Sequence, residues 1–142
     1  MKRRVIIDAF VNKLKTIRRA NGYNTDAGAN TQDNRVEAMA EDEDYFIDVV
    51  AGSWDSEDMS DRVRRWMTIS VSFGAQGDSA ISTVENITAD VIKAVYDDVT
   101  FGGVAINTEE NGGAFDKDVS DQLYSWGEVD FKVLYDTVSG EI

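Results

Sequence analysis

Residues 66–73, WMTISVSF, alternate: Met67, Ile69, Val71 and Phe73 fall on one side, and Trp66, Thr68, Ser70 and Ser72 on the other. A period of two marks a strand with one buried face. Past Gly74 and Gly77 the period lengthens to 3.6. Ala80, Val84, Ile87, Val91, Ala94 and Val95 then share a stripe roughly 100° wide, as a core-facing helix requires. Ser82 and Glu85 have the spacing of a capping box, so the helix is expected to start near 79–82. Gly102 and Gly103 are expected to stop it by adopting the left-handed conformation. Val104 and Ile106 alternate again, and the stretch reads strand, helix, strand.

The flanking segments follow the same rules. Residues 3–20 predict a helix with Ile6, Phe10, Leu14 and Ile17 on one face and Ile7 beside it. Lys15, Arg18 and Arg19 fall in its last turn, where cations suit the helix dipole, and Gly22 is a candidate C′ residue. Residues 21–34 are polar and turn-forming, a loop. A short strand is expected near Arg35–Met39 and a clearer one over Tyr45–Val50, with Tyr45, Ile47 and Val49 on one side. Gly52–Asp61 reads as an acidic loop holding Trp54. Residues 107–121 read as a long glycine- and acid-rich loop, and Leu123–Val138 as a long strand returning to the middle of the sheet. The order of elements predicts an α+β fold over residues 1–142: a mostly antiparallel sheet packed against two helices, an α/β sandwich in a single domain.

Charge changes this picture more than composition does. The net charge is −13, but residues 1–19 carry seven of the 14 basic residues against Asp8 alone. The rest of the chain is strongly acidic and repels phosphate, which argues against nucleic-acid binding as the main activity. A basic first helix and an acidic body can instead meet between two copies. Cysteine is absent, so there are no disulfides. No apolar run approaches the roughly 20 residues of a membrane span, and Asp8, Asn12 and Lys13 break any export signal.

Histidine is absent as well, which removes the commonest general base and metal ligand. Serines are plentiful but have nothing to activate them, no phosphate-cradling loop is present, and no catalytic or cofactor-binding residue is assigned. Asp26, Gly28, Asn30, Gln32, Asn34 and Glu37 mimic the spacing of a calcium-binding EF loop. The match fails at its third and sixth positions, where Gly28 and Thr31 stand, and is read as coincidence. The acidic runs 41–44, 55–61 and 116–121 read as solvated loops rather than cation sites.

The candidate functional residues are interface residues. Arg62, Arg64, Arg65 and Trp66 form a basic-aromatic group, and Arg and Trp are the residue types enriched at binding hot spots. Trp54 is an apolar ring that its surroundings give no reason to bury. Lys2, Arg3 and Arg4 supply the basic end. Asp97 and Asp98 sit where carboxylates disfavour the helix dipole, so they are a tolerated cost, a paired-carboxylate site or a salt-bridge site between subunits.

Several turn motifs, taken in order, carry a resemblance. The first amphipathic helix is followed by Asn21-Gly22-Tyr23, Thr25-Asp26 and Gly28. Strands broken by an acidic run come next, then a strand, a long helix and Phe101-Gly102-Gly103-Val104. The chain closes on Val129-Asp130-Phe131-Lys132-Val133-Leu134-Tyr135. This order resembles the tail terminator and tail-completion (neck) proteins of long-tailed bacteriophages. The resemblance implies an α/β sandwich and a non-enzymatic virion protein, assembled in the host cytoplasm, that forms a ring of six. Such a ring caps the tail tube, ends its polymerisation and receives the head connector. From the residues themselves no cofactor, metal or membrane is expected, and the net charge of −13 per copy would give such a ring an acidic lumen that lets DNA pass without being held. The alternatives are another neck or head-tail connector protein, a small carboxylate-dependent metal enzyme, and an acidic module that mimics nucleic acid.

Overall fold

The structure is a computed structural model and describes residues 1–35, 39–40, 42–118 and 123–142. Helix α1 spans Lys2–Leu14 and helix α2 Ala80–Asp97. Strand β1 is Thr31–Asp33, β2 Tyr45–Asp58, β3 Val63–Gln76, β4 Asn107–Asp118 and β5 Tyr124–Thr137. They form one five-stranded sheet in the order β1-β2-β3-β5-β4. All its pairs are antiparallel except the short β1–β2 pair. The α+β class, the mostly antiparallel sheet and the two packed helices are therefore as the hydrophobic periodicity predicts. So is the return of the last strand to the interior of the sheet, between β3 and β4.

One face of the sheet makes the core. Ile47 and Val49 of β2, Met67, Ile69, Val71 and Phe73 of β3, and Val129, Phe131, Val133 and Tyr135 of β5 are all buried there. Register carries them across in rows, Val49–Val71–Val129 and Ile69–Phe131 among them. The helices close this face. α1 contributes Ile6, Ile7, Phe10 and Leu14, and α2 contributes Val84, Ile87, Val91 and Val95. Phe10 sits at the centre, with ring centroids 5.0 Å from Phe101 and 5.7 Å from Phe131.

Several local expectations are corrected. α1 ends at Leu14, not near residue 20. Ile17 is buried all the same, because the chain turns there and Gly28 donates its N–H to the Ile17 carbonyl at 3.0 Å. A Cβ on Gly28 would lie 2.6–2.7 Å from three backbone carbonyls, so only glycine lets the loop close against the helix end. Within the 21–34 loop, residues 27–30 form a 3₁₀ turn. The strand that follows is Thr31–Asp33; the one expected at 35–39 falls mostly outside the described residues.

The capping box does not form. Ser79 is the N-cap of α2, and the Ser82 hydroxyl donates to the Ser79 carbonyl instead. α2 stops before the glycine pair, and Val104 and Ile106 lie in turns rather than a strand. The largest correction concerns the two acidic "loops". Residues 52–58 continue β2, and residues 107–118 are β4. Over 52–58 and 109–118 their polarity reflects strands with both faces in water, since strand geometry can persist where a neighbouring strand supplies the ladder.

Candidate interaction surface

The last seven residues of β2 run on as an exposed edge arm along β3, whose other side stays paired with β5 as far as Val63–Thr137. From Gly52 to Asp58 every residue of β2 is exposed. At the base of the arm a register shift between Ala51 and Trp54 inserts a bulge. It pairs Trp54 with Met67 and so turns the indole toward the helical side. Arg3 reaches this point from the first turn of α1. Its guanidinium donates to the Ala51 and Gly52 carbonyls, both at 3.2 Å, and lies 5.6 Å from the Trp54 ring centre. Trp54 keeps 46% of its surface exposed.

Most of the predicted interface cations gather around this base, already engaged within the chain. Arg64 grips Asp136 in a bidentate pair at 2.9 and 3.1 Å, and Arg62 reaches the same carboxylate at 3.0 Å. The Arg64 guanidinium first, and Arg62 after it, hold the Asp136 carboxyl below the usual carboxylate range. Lys2 donates to the Asp136 carbonyl at 2.9 Å. Arg65 donates to Thr137, Ser56 and the Glu141 carbonyl, tying the arm to the C-terminal segment. Trp66 lies half-buried across from Leu134 on the face opposite Trp54. The structure thus brings Lys2, Arg3, Trp54, Arg62, Arg64, Arg65 and Trp66 to one end of the sheet.

The other three predicted residues lie elsewhere. Arg4 pairs with Asp8 and Asp33 on the outer side of α1. Asp97 pairs with Lys13, so it joins α2 to α1 within one copy. Asp98 organises the next turn: it accepts the Thr100 hydroxyl at 2.7 Å and the N–H groups of Thr100 and Gly102 at 3.0 and 2.8 Å. These bonds, the hydroxyl first, hold its carboxyl below the ordinary range. Gly102 and Gly103 follow with φ of 76° and 89°, the left-handed values expected of them, but in this turn rather than at a helix cap.

The acidic runs do not converge. Among the described residues no three carboxylates are grouped as a metal ion would need. The EF-like residues scatter as well. Asp26 accepts the Arg19 N–H, Asn30 donates to Glu43 and to the Tyr45 carbonyl, and Glu37 lies outside the described residues.

Two features escaped the sequence reading. The first is a clasp at the start of β2. Arg35 meets Glu43 through two hydrogen bonds of 2.9 and 2.5 Å, with only 6% of its side chain exposed. Arg35 foremost, and Asn30 as well, hold the Glu43 carboxyl at about 2, against an ordinary 4.5. Gln76 donates from its amide to the Ala40 and Glu43 carbonyls at 2.8 and 2.6 Å. Nothing in the sequence pairs Arg35 with Glu43 rather than with another acid of the 41–44 run.

The second is an aromatic groove on the sheet face that carries no helix among the described residues. Phe46, Tyr124 and Trp126 line it together with Ser72 and Glu128, over a volume of about 470 Å³. Tyr124 and Trp126 lie 5.3 Å apart between ring centres. Gly74 makes room: a Cβ there would meet the Phe46 ring at 2.6 Å and the Tyr124 hydroxyl at 2.7 Å. The Arg35 guanidinium lies 4.6 Å from the Phe46 ring centre. A signal was present in the sequence. These aromatics occupy the parity opposite to the core positions of β2 and β5, where solvent-facing strands usually carry polar residues.

Compared with known protein families and with curated proteins, the chain matches none.

Proposed function

We propose that this chain is a structural subunit of a phage tail-completion ring, a tail terminator that works by self-assembly. The observation that carries the reading is the edge arm of β2, in which the seven residues Gly52–Asp58 hold strand conformation along β3 with no buried face. An edge strand of this length with neither face buried in its own chain leaves both faces open to a partner. An arm of this kind, anchored by the Arg3 bulge clamp and the Arg64–Asp136 pair, gains its remaining support from a neighbouring subunit or from the end of the tail tube. The order of turn motifs that resembles tail-completion proteins supports the same reading. So does the separation of a basic first helix from an acidic body, which suits heterologous contacts, the kind that close a ring.

On this reading the partners are further copies of the chain, six to a ring, the tail tube protein and the head connector. The ring sits in the virion neck after assembly in the host cytoplasm. Its lumen is acidic and lets DNA slide past.

The test pairs light scattering with electron microscopy of the purified chain, alone and with tail tubes. Rings of uniform mass, and tubes whose growth stops on addition of the chain, are expected. A species that stays monomeric at every concentration and leaves tube length unchanged overturns the reading.

A further inference from the structure

On the sheet face opposite the helices, an exposed indole lies between two carboxylates that have no cation partner among the described residues. Trp126 keeps 37% of its surface exposed. Glu128 follows it by two residues on the same face of β5, and Asp116 lies directly across from it on β4. Neither carboxylate has an ion pair among the described residues; Asp116 accepts only the N–H of Lys117.

Burial of part of an aromatic face beside two uncompensated carboxylates is the chemistry that receives a guanidinium. The plane of the guanidinium stacks on the ring while its N–H fork meets the acids. Arg35 on the neighbouring Phe46 already shows this mode in the same groove.

The chain also presents a matching group. Arg18 is exposed and has no side-chain hydrogen bond or ion pair among the described residues, in contrast to Arg3, Arg4, Arg19, Arg62, Arg64 and Arg65. Arg18 lies in the turn after α1, next to Ile17, which is buried in the core on the helical side of the sheet, and the groove lies on the opposite face. The sheet therefore keeps the two apart within one copy.

We propose that the Phe46–Tyr124–Trp126 groove is the docking site for a second copy of this chain, whose Arg18 stacks on Trp126 and pairs with Glu128 and Asp116. The contact joins the helical side of one copy to the bare side of the next. It is heterologous, and repeated it closes a ring or runs on as a filament. Pairing of one sheet edge with another is a poor rival mode. The outer strand β4 carries Glu109, Glu110 and Asp116, and the open end of β2 carries Asp55, Glu57 and Asp58, so edges brought together set like charges side by side.

The inference rests on the assembly reading, and charge reversal separates the two. Arg18→Glu and Glu128→Arg are made as separate full-length chains, with circular dichroism confirming that each folds. Association is followed by light scattering at low and moderate salt. Each variant alone is expected to associate about tenfold or more weakly than the unmodified chain. An equimolar mixture is expected to recover association, because each mutated group then faces an opposite charge on its neighbour. Unmodified chain that associates while Arg18→Glu behaves identically overturns this docking mode and leaves assembly standing. Loss in both variants without recovery on mixing overturns it too. An unmodified chain that never associates overturns the assembly reading and the docking site together.

Discussion

The two ends of β2 belong to one strand and share one partner, yet they are held by different means. The first end, Tyr45–Ala51, is flanked by β1, packed against the 3₁₀ turn 27–30 and fastened by the Arg35–Glu43 clasp. Its alternate side chains, Ile47 and Val49, are fully buried. The other end, Gly52–Asp58, has β3 on one edge, water on the other and no buried residue on either face. The ladder to β3 runs through both, broken only at the bulge. Backbone pairing alone therefore sustains strand geometry, while burial decides which end carries the stability. The covered end has every attribute of a scaffold, and the bare end has those of a surface awaiting contact.

The sharpest way to break this comparison is to empty the covered side. Phe131→Ala removes a fully buried ring in contact with Phe10 and is expected to cost about 3–5 kcal/mol in chemical denaturation. A loss as small as that of an arm substitution would mean the core does not sit where the rows of β2, β3 and β5 put it.

The clasp comes next. Glu43→Gln removes the carboxylate that faces Arg35 and is expected to cost about 2–3 kcal/mol near neutral pH. It also has a pH signature. The folded-state value of about 2 lies below the ordinary 4.5, so the unfolded chain binds the proton first as pH falls. The stabilisation from Glu43 is complete above 4.5 and lost as pH drops towards about 2. Stability measured through that window should fall less steeply in Glu43→Gln than in the unmodified chain. Equal slopes would remove Glu43 from the account of acid sensitivity.

The bulge clamp is smaller. Arg3→Ala leaves the Ala51 and Gly52 carbonyls without their donor and should cost about 1–2 kcal/mol. Hydrogen exchange should quicken in residues 52–58 more than in residues 45–50, because the clamp stands at the boundary between the two ends. Uniform quickening would mean the arm is not a separate unit.

The smallest effect on stability belongs to Trp54→Ala. The ring is half in solvent and touches chiefly Arg3, so the melting transition should shift by less than about 1 kcal/mol. If the arm meets a neighbour, the same substitution weakens association measured by light scattering. Unchanged association would confine Trp54 to its contact with Arg3.

Much of the scaffold was legible because its signal is local. Met67, Ile69, Val71 and Phe73 name their face by alternation, and the α2 stripe names its own by a period of 3.6. The arm and β4 were not legible as strands, because both lie outside the core and carry no alternation for burial to impose. Glycine and acid content there looked like loop chemistry. The candidate site was legible as a set of residue types, Arg and Trp near the start of β3, but not as an arrangement. Asp97 and Asp98, singled out for their odd position, turned out to serve a helix–helix pair and a turn.

By itself the sequence determined the class of fold, the core faces of β2, β3, β5 and both helices, and the segregation of charge. These follow from periodicity and composition, which act over a few residues. Tertiary structure decided where Trp54 points. Continued alternation from Ile47, Val49 and Ala51 would send Trp54 to the bare face. The bulge at Gly52 and Ser53 shifts the count by one and sends it to the helical side, where Arg3 waits. A register shift of one residue exchanges the faces of every residue beyond it. Whether one forms depends on groups far along the chain, here the guanidinium of Arg3 on two carbonyls 48 and 49 residues away.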